Sequence, residues 1–368
     1  MHASLRRRLS VPILAASALL AVLSLPPSVS AEAPRDFIGI STEDVVRGSS
    51  AYRAEQLPRQ RQAGIGLIRQ NFDWATIETR RGRYRFGFHD EMVGAAARNG
   101  IRIMPVLYNP PSFHSTAPRR GRERGVYPPR RAAAMGRFAR ALVRRYGRGG
   151  SYWRSHPEVP AAPIRSWQVW NEPSLPVYWR PRPSARAYGR LLRTVYRYIR
   201  RSDRRAEVVT AGIPPTTLPG SIPYTRFIRD MTRSGGRFNT LAVNSYARNT
   251  KVLSSTVRSA RRAMRRGGRR GAGVWITELG WGTGGPSHRF NVGFAQQARL
   301  IESSLDWIGR NRRRLKLRGV VYFQWRDQVP YPPAYKDMWG LHTGLINLDA
   351  VAKPGLAAFT EAARRARR

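Results

Sequence analysis

Eight short runs rich in β-branched and aromatic residues recur along the chain, at 37–40, 65–69, 101–107, 164–170, 207–211, 240–244, 273–277 and 320–324. Amphipathic stretches separate them, among them 90–99, 132–146, 184–201, 255–266 and 294–308, with apolar residues three and four apart and arginines opposite. Strand-type and helix-type periods that alternate eight times leave few folds open: the pattern predicts an α/β chain closed into a (β/α)8 TIM barrel. The run Ile101-Arg-Ile-Met-Pro-Val-Leu107 is nearly all apolar, as a parallel strand covered on both faces requires. Stretches 112–131 and 147–163 read as loops flanking a helix, and 282–291 and 326–343 extend two strand ends, where a barrel builds its functional face.

The first 31 residues stand apart. Arg6-Arg7-Arg8 precede an apolar stretch from Val11 to Leu25, and Val29-Ser30-Ala31 supplies small residues for cleavage. The apolar stretch falls short of the roughly twenty residues that span a bilayer. A secretory signal peptide over 1–31 is therefore expected, with export to the extracellular space and a mature chain that starts near Glu32 and has no transmembrane segment. No low-complexity linker interrupts 32–368, so one domain is expected there.

Charge and cysteine content narrow the function. Zero cysteines exclude thiol nucleophiles, thiolate metal sites and disulfides. Lys+Arg number 66 against 22 Asp+Glu, a net +44, and the only lysines are Lys251, Lys316, Lys336 and Lys353. Two readings of this excess stay open. Composition can write arginine wherever a solvated base is tolerated, or the charge serves electrostatic adhesion to anionic wall polymers. The arginines recur in nearly every helical stretch without an RNP motif, zinc finger or recognition helix, so no dedicated nucleic-acid partner is expected.

In a barrel, polar residues that close a strand are the candidates for chemistry. Two are glutamates on strands that face each other: Glu172 in Trp-Gln-Val-Trp-Asn-Glu-Pro and Glu278 in Val-Trp-Ile-Thr-Glu-Leu-Gly-Trp. Either one alone is satisfied by an ion pair with an arginine. As a pair across a cleft they fit glycosidic bond cleavage, which needs one protonated carboxyl and one carboxylate. Arg69 is placed to hold the carboxylate ionised, Asn171 to donate to a sugar 2-hydroxyl, and Tyr246 to hold an oxygen of the nucleophile. Trp170, Trp179, Trp281, Trp325 and Trp339 fall at or after strand ends, where indole faces would stack on sugar rings, whereas Trp167 and Trp275 lie inside strands and read as core. His-Glu-x-x-His, Gly-x-Ser-x-Gly, P-loop and complete Gly-x-Gly-x-x-Gly motifs are missing, and the histidines are scattered; neither metal nor cofactor is expected.

These residues carry a resemblance. Asn171-Glu172-Pro173 on a fourth strand and Ile276-Thr277-Glu278 on a seventh resemble the acid/base and nucleophile signatures of clan A glycoside hydrolases, the cellulase and β-xylosidase group, with families thirty-nine and five nearest. The stretch from Gly66 through Arg69 to Trp74, then Ile77-Glu78 and Gly82-Arg-Tyr84, is similar to the clan's second-strand region, and Gly344-Leu345-Ile346 with Lys353-Pro354 to its closing segment. The resemblance implies a retaining hydrolase of β-glycosidic bonds in poly- or oligosaccharides that needs no cofactor. Glu172 would be the acid/base and Glu278 the nucleophile, with Arg69, Asn171, Tyr246 and Trp325 lining the subsite and Trp281 counted beside them. The chain departs from the pattern at Asn244, where many members carry a histidine two residues before the sixth-strand tyrosine, and at Tyr108-Asn109-Pro110-Pro111. The alternative is a non-catalytic carbohydrate- or wall-binding protein on the same scaffold, which has no need of both carboxylates.

Overall fold

Eight parallel strands close into one barrel in the computed structural model, which describes residues 32–118, 124–216, 218–330 and 336–368. The expected signal segment 1–31 lies outside the described residues. In chain order the strands are β1 (Ile38–Ser41), β2 (Leu67–Asp73), β3 (Arg102–Tyr108), β4 (Ser166–Val169), β5 (Glu207–Gly212), β6 (Thr240–Asn244), β7 (Gly273–Leu279) and β8 (Leu317–Tyr322). Each pairs with its sequence neighbours, and β1 closes the ring: Gly39 lies opposite Leu67 of β2 and Val321 of β8. The expected (β/α)8 fold is the fold observed.

Burial explains why these runs are strands. All seven residues of β7 are buried, as a barrel strand with side chains inside and helices outside demands. Leu67, Met104, Val209, Ala242, Trp275 and Val321, from six different strands, form a small apolar cluster separate from the larger core; these side chains fill the barrel interior. Trp167 and Trp275 are both buried, as their positions inside strands implied.

Among the described residues, eight helices of ten or more residues surround the strands: α1 (Ser50–Gln62), α2 (Gly87–Arg98), α3 (Ala132–Tyr146), α4 (Ala185–Ser202), α5 (Tyr224–Arg233), α6 (Thr250–Arg266), α7 (Phe294–Asn311) and α8 (Pro354–Arg367). On α4, Tyr188, Leu191, Leu192, Val195 and Ile199 are buried at helical spacing, and Ser184 caps the start by accepting from the Ala187 amide at 3.2 Å. The Tyr188 hydroxyl donates to the Val169 carbonyl at 2.8 Å and accepts from the Ala211 amide at 2.6 Å, which pins α4 over β4 and β5.

Three of these helices, α1, α5 and α8, lie outside the stretches singled out by their periodicity. The buried face of α1 is mostly polar, with Arg53, Gln56 and Gln60 beside Leu57, and Pro58 sits inside it. Only three apolar side chains of α5 are buried, and α8 buries chiefly alanines and Phe359. A buried face that is polar, as on α1, or made chiefly of alanine, as on α8, mutes the periodic signal. Among the described residues no helix is long and apolar enough to cross a membrane.

Candidate active site

The C-terminal ends of the strands surround a cleft of about 650 Å³ whose walls include Arg69, Asn71, Tyr108, Asn171, Glu172, Tyr178, Tyr246, Glu278, Phe323 and Trp339. Its floor is a hydrogen-bonded network that joins β2, β4, β6 and β7. Arg69 is its hub: Nη1 donates to Glu278 Oε1 at 3.0 Å, Nη2 to Asn171 Oδ1 at 3.1 Å and Nε to Gln168 Oε1 at 2.7 Å. Gln168 in turn donates to the Thr210 carbonyl at 3.0 Å. These three bonds fix the guanidinium plane against the Glu278 carboxyl.

The two glutamates, each 8% exposed, sit in opposite electrical settings. Glu278 accepts from Arg69 and, on its other oxygen, from the Tyr246 hydroxyl at 2.7 Å, so each of its oxygens is held by a donor. Burial, the charge of Glu278 and the hydrogen bond to it hold the Tyr246 phenol well above its usual range, so it stays a donor. Glu172 meets one neutral donor, the Asn244 amide, at 2.7 Å. Burial first and the Glu278 charge second push its carboxyl up to about 8, against the smaller opposing pull of Asn244 and Arg69. Of the two, Glu172 is the carboxyl whose surroundings favour its protonated form.

Local backbone places Glu172. The chain leaves β4 through left-handed conformations at Trp170 (φ 74°) and Glu172 (φ 41°), which non-glycine residues adopt only where the surroundings over-determine them. Trp170 is anchored there by its indole NH, which donates to the Tyr178 carbonyl at 2.8 Å. Asn244 is oriented by Thr277, whose hydroxyl donates to its Oδ1 at 2.8 Å and leaves Nδ2 for Glu172. Space for the amide comes from Gly212, where a Cβ would stand 2.0 Å from Asn244 Oδ1.

The structure brings Arg69, Asn171, Glu172, Tyr246 and Glu278 together as the sequence suggested, and it corrects the two tryptophans. Trp325 and Trp281 are fully buried and line no part of the cleft. The Trp325 indole NH donates to Gln56 Oε1 of α1 at 3.0 Å, and that of Trp281 to the Ala247 carbonyl at 2.7 Å; both indoles point back into the core. Trp170 and Trp179 are buried as well. The tryptophan that does face the cleft is Trp339, half-buried, packed edge-on against Tyr246 at 5.0 Å and stacked on His288 at 5.2 Å. Gln168, Tyr178 and the role of Asn244 escaped the sequence. Gln168, a polar residue inside an apolar strand, was the available signal for the first, since a buried amide must find partners.

Beside β2 the cleft continues into a compartment of about 500 Å³ that shares Glu43, Gln70 and Asn71 and is bounded by Asp73, Thr76, Arg85 and Phe88.

No family model matches the chain, and no curated protein matches it. Solved structures do. A family 39 glycoside hydrolase from Bacteroides cellulosilyticus WH2 superposes with TM-score 0.65 at 18% identity, over 91% of this chain and 64% of that one. The chain thus spans under two thirds of that protein's length. A family 39 β-xylosidase from Caulobacter crescentus gives 0.62 at 18% identity, over 90% and 72%. A GH5_18 protein from Bifidobacterium longum subsp. infantis gives 0.61 at 16%, over 91% and 79%. The likeness is one of fold, and it falls on families thirty-nine and five, those that the strand-end motifs resembled.

Proposed function

We propose that the protein is a retaining glycoside hydrolase that cleaves β-glycosidic bonds in oligo- or polysaccharides by double displacement at Glu278 and Glu172. The observation that carries this reading is the opposite setting of the two glutamates in one cleft. A Glu278 oxygen attacks the anomeric carbon as the bond to the leaving oxygen breaks, and that oxygen takes the electron pair together with the Glu172 proton. Water then loses a proton to the Glu172 carboxylate and attacks the same carbon, which frees Glu278 and retains the anomeric configuration. Arg69 and Tyr246 hold Glu278 in place, one on each oxygen. The Asn171 amide, with Oδ1 occupied by Arg69, has its NH2 for the 2-hydroxyl of the sugar.

The neighbouring structures carry the names β-xylosidase, glucosidase and β-galactosidase, which makes neutral pyranosides the first substrates to try. The side compartment beyond Asn71 offers room for a second sugar unit on a cleft that serves oligosaccharides. Secretion through segment 1–31 belongs to the same proposal, as does a general attraction of so basic a chain to anionic wall polymers. A panel of nitrophenyl β-xyloside, β-glucoside and β-galactoside, with β-linked polysaccharides alongside, tests the central claim. Hydrolysis of at least one is expected, with the β-anomer formed first by proton NMR. No turnover on any of them, or an α-anomer formed first, would overturn it.

Placement of the tryptophans yields a separate expectation. Trp339→Ala should lower kcat/KM about tenfold or more by removing a stacking face, with little change in melting temperature. Trp325→Ala should instead cost about 3–5 kcal/mol of stability by opening a cavity and removing a donor from Gln56. Melting curves and kcat/KM on the same two variants check this; equal melting losses would place Trp339 in the core.

A further inference from the structure

Between α4 and α5 lies a groove of about 740 Å³ that shares no lining residue with the cleft. It exists because the two helices approach closely at Gly189, where a Cβ would meet Ser234 Oγ at 2.5 Å and the Met231 carbonyl at 2.8 Å. Arg186, Arg190 and Arg193 line one side, spaced along one face of α4, and Arg226 and Arg233, two turns apart, line the α5 side. All five side chains are exposed. The single acid in the lining, Asp230, is already engaged by Arg229 at 2.8 Å and by Arg226 at 3.6 Å. No carboxylate among the described residues pairs with Arg186, Arg190, Arg193 or Arg233.

We infer that this groove is a binding site for an acidic glycan, a sugar chain with repeated carboxylates or phosphates. Guanidinium forks in two facing rows match such oxyanions bidentately and at successive positions along a chain. The groove contains no aromatic side chain, whereas single-stranded nucleic acid is gripped by stacking on aromatics. It is concave, whereas a duplex is read by an element that projects into its grooves. The site stands on the groove alone and would tether the protein to an acidic polymer whatever the cleft does.

The test compares two full-length variants with equal loss of charge. Arg186→Gln/Arg190→Gln/Arg193→Gln/Arg233→Gln empties the groove. Arg204→Gln/Arg258→Gln/Arg310→Gln/Arg313→Gln removes four exposed arginines elsewhere. Binding of soluble polygalacturonate at ~0.1 M salt should weaken about tenfold or more in the first and less than about threefold in the second, with a shallower salt dependence only in the first. Should the first variant melt early, Arg186→Gln/Arg190→Gln is compared with Arg310→Gln/Arg313→Gln, and about a threefold loss is expected in the former against almost none in the latter. Equal weakening in both variants would reduce the site to diffuse charge and overturn it. Tighter binding of duplex DNA than of polygalacturonate, lost with the same four substitutions, would overturn the assignment to a glycan. Neither readout requires hydrolysis, so the result is independent of the activity proposed for the cleft.

Discussion

Glu278→Ala should lose at least about 10⁴-fold in kcat, even on aryl glycosides with excellent leaving groups. A good leaving group removes the need for a proton but not the need for an anion at the anomeric carbon. The side chain is held by Arg69 and Tyr246 on separate oxygens, so its loss leaves a buried guanidinium with only the neutral acceptors Gln168 and Asn171. The variant should therefore be less stable as well as inactive, and Glu278→Gln, which keeps the shape, separates the two effects. Azide added to Glu278→Ala can enter the vacated space and displace the leaving group directly, giving the α-glycosyl azide. Stopped assays with leaving groups of graded acidity check the expectation. A Glu278→Ala variant as active as the native chain would remove Glu278 from the chemistry.

Glu172→Ala should behave in a different way. Its first step survives on an activated aryl glycoside, because such a leaving group departs without a proton, while the second step slows for want of a base. Turnover of unactivated substrates should fall about 10²–10⁴-fold, and azide should restore the activated ones, now with a β-glycosyl azide as product. The acid must carry its proton, and burial beside Glu278 raises its carboxyl to about 8. Native kcat/KM should accordingly decline as pH rises through about 8, and Glu172→Gln should lack that decline. Stability follows the same group. Folded protein keeps the Glu172 proton up to about 8, whereas an ordinary glutamate releases it near 4.5, so the folded state binds more protons between those values and loses stability as pH rises across them. Melting temperatures at the two ends of that window should differ more for the native chain than for Glu172→Gln.

The Arg69 hub, set against the buried tryptophans, marks where reading the sequence succeeds and where it fails. Arg69 closes an apolar run in the sequence, and although β2 continues past it to Asp73, a cation in a buried strand must find a partner, so its role was legible before its partners were. Trp325 also follows a strand, yet an indole is satisfied equally by a sugar face and by a core with one acceptor. The acceptor it found, Gln56, lies on the first helix of the barrel, far away in sequence. Asn244 shows the same limit in another way. Its position two residues before Tyr246 was plain, but its donation to Glu172 depends on Thr277 turning its amide and Gly212 leaving it space.

By itself, then, the sequence determined the alternation of eight strands with helices, the parallel barrel that alternation requires, and the two glutamates at its mouth. Each of these follows from local periodicity: strand and helix bury different spacings of apolar residues, and a charged residue that ends a buried run must reach solvent or a partner. Tertiary structure alone decided which tryptophan faces the cleft, that the Asn244 amide donates to Glu172, and that five of the many arginines converge on one groove between α4 and α5. Those outcomes rest on distances between residues remote in the chain, and on a desolvation that depends on everything packed around a group. No spacing within one segment encodes either.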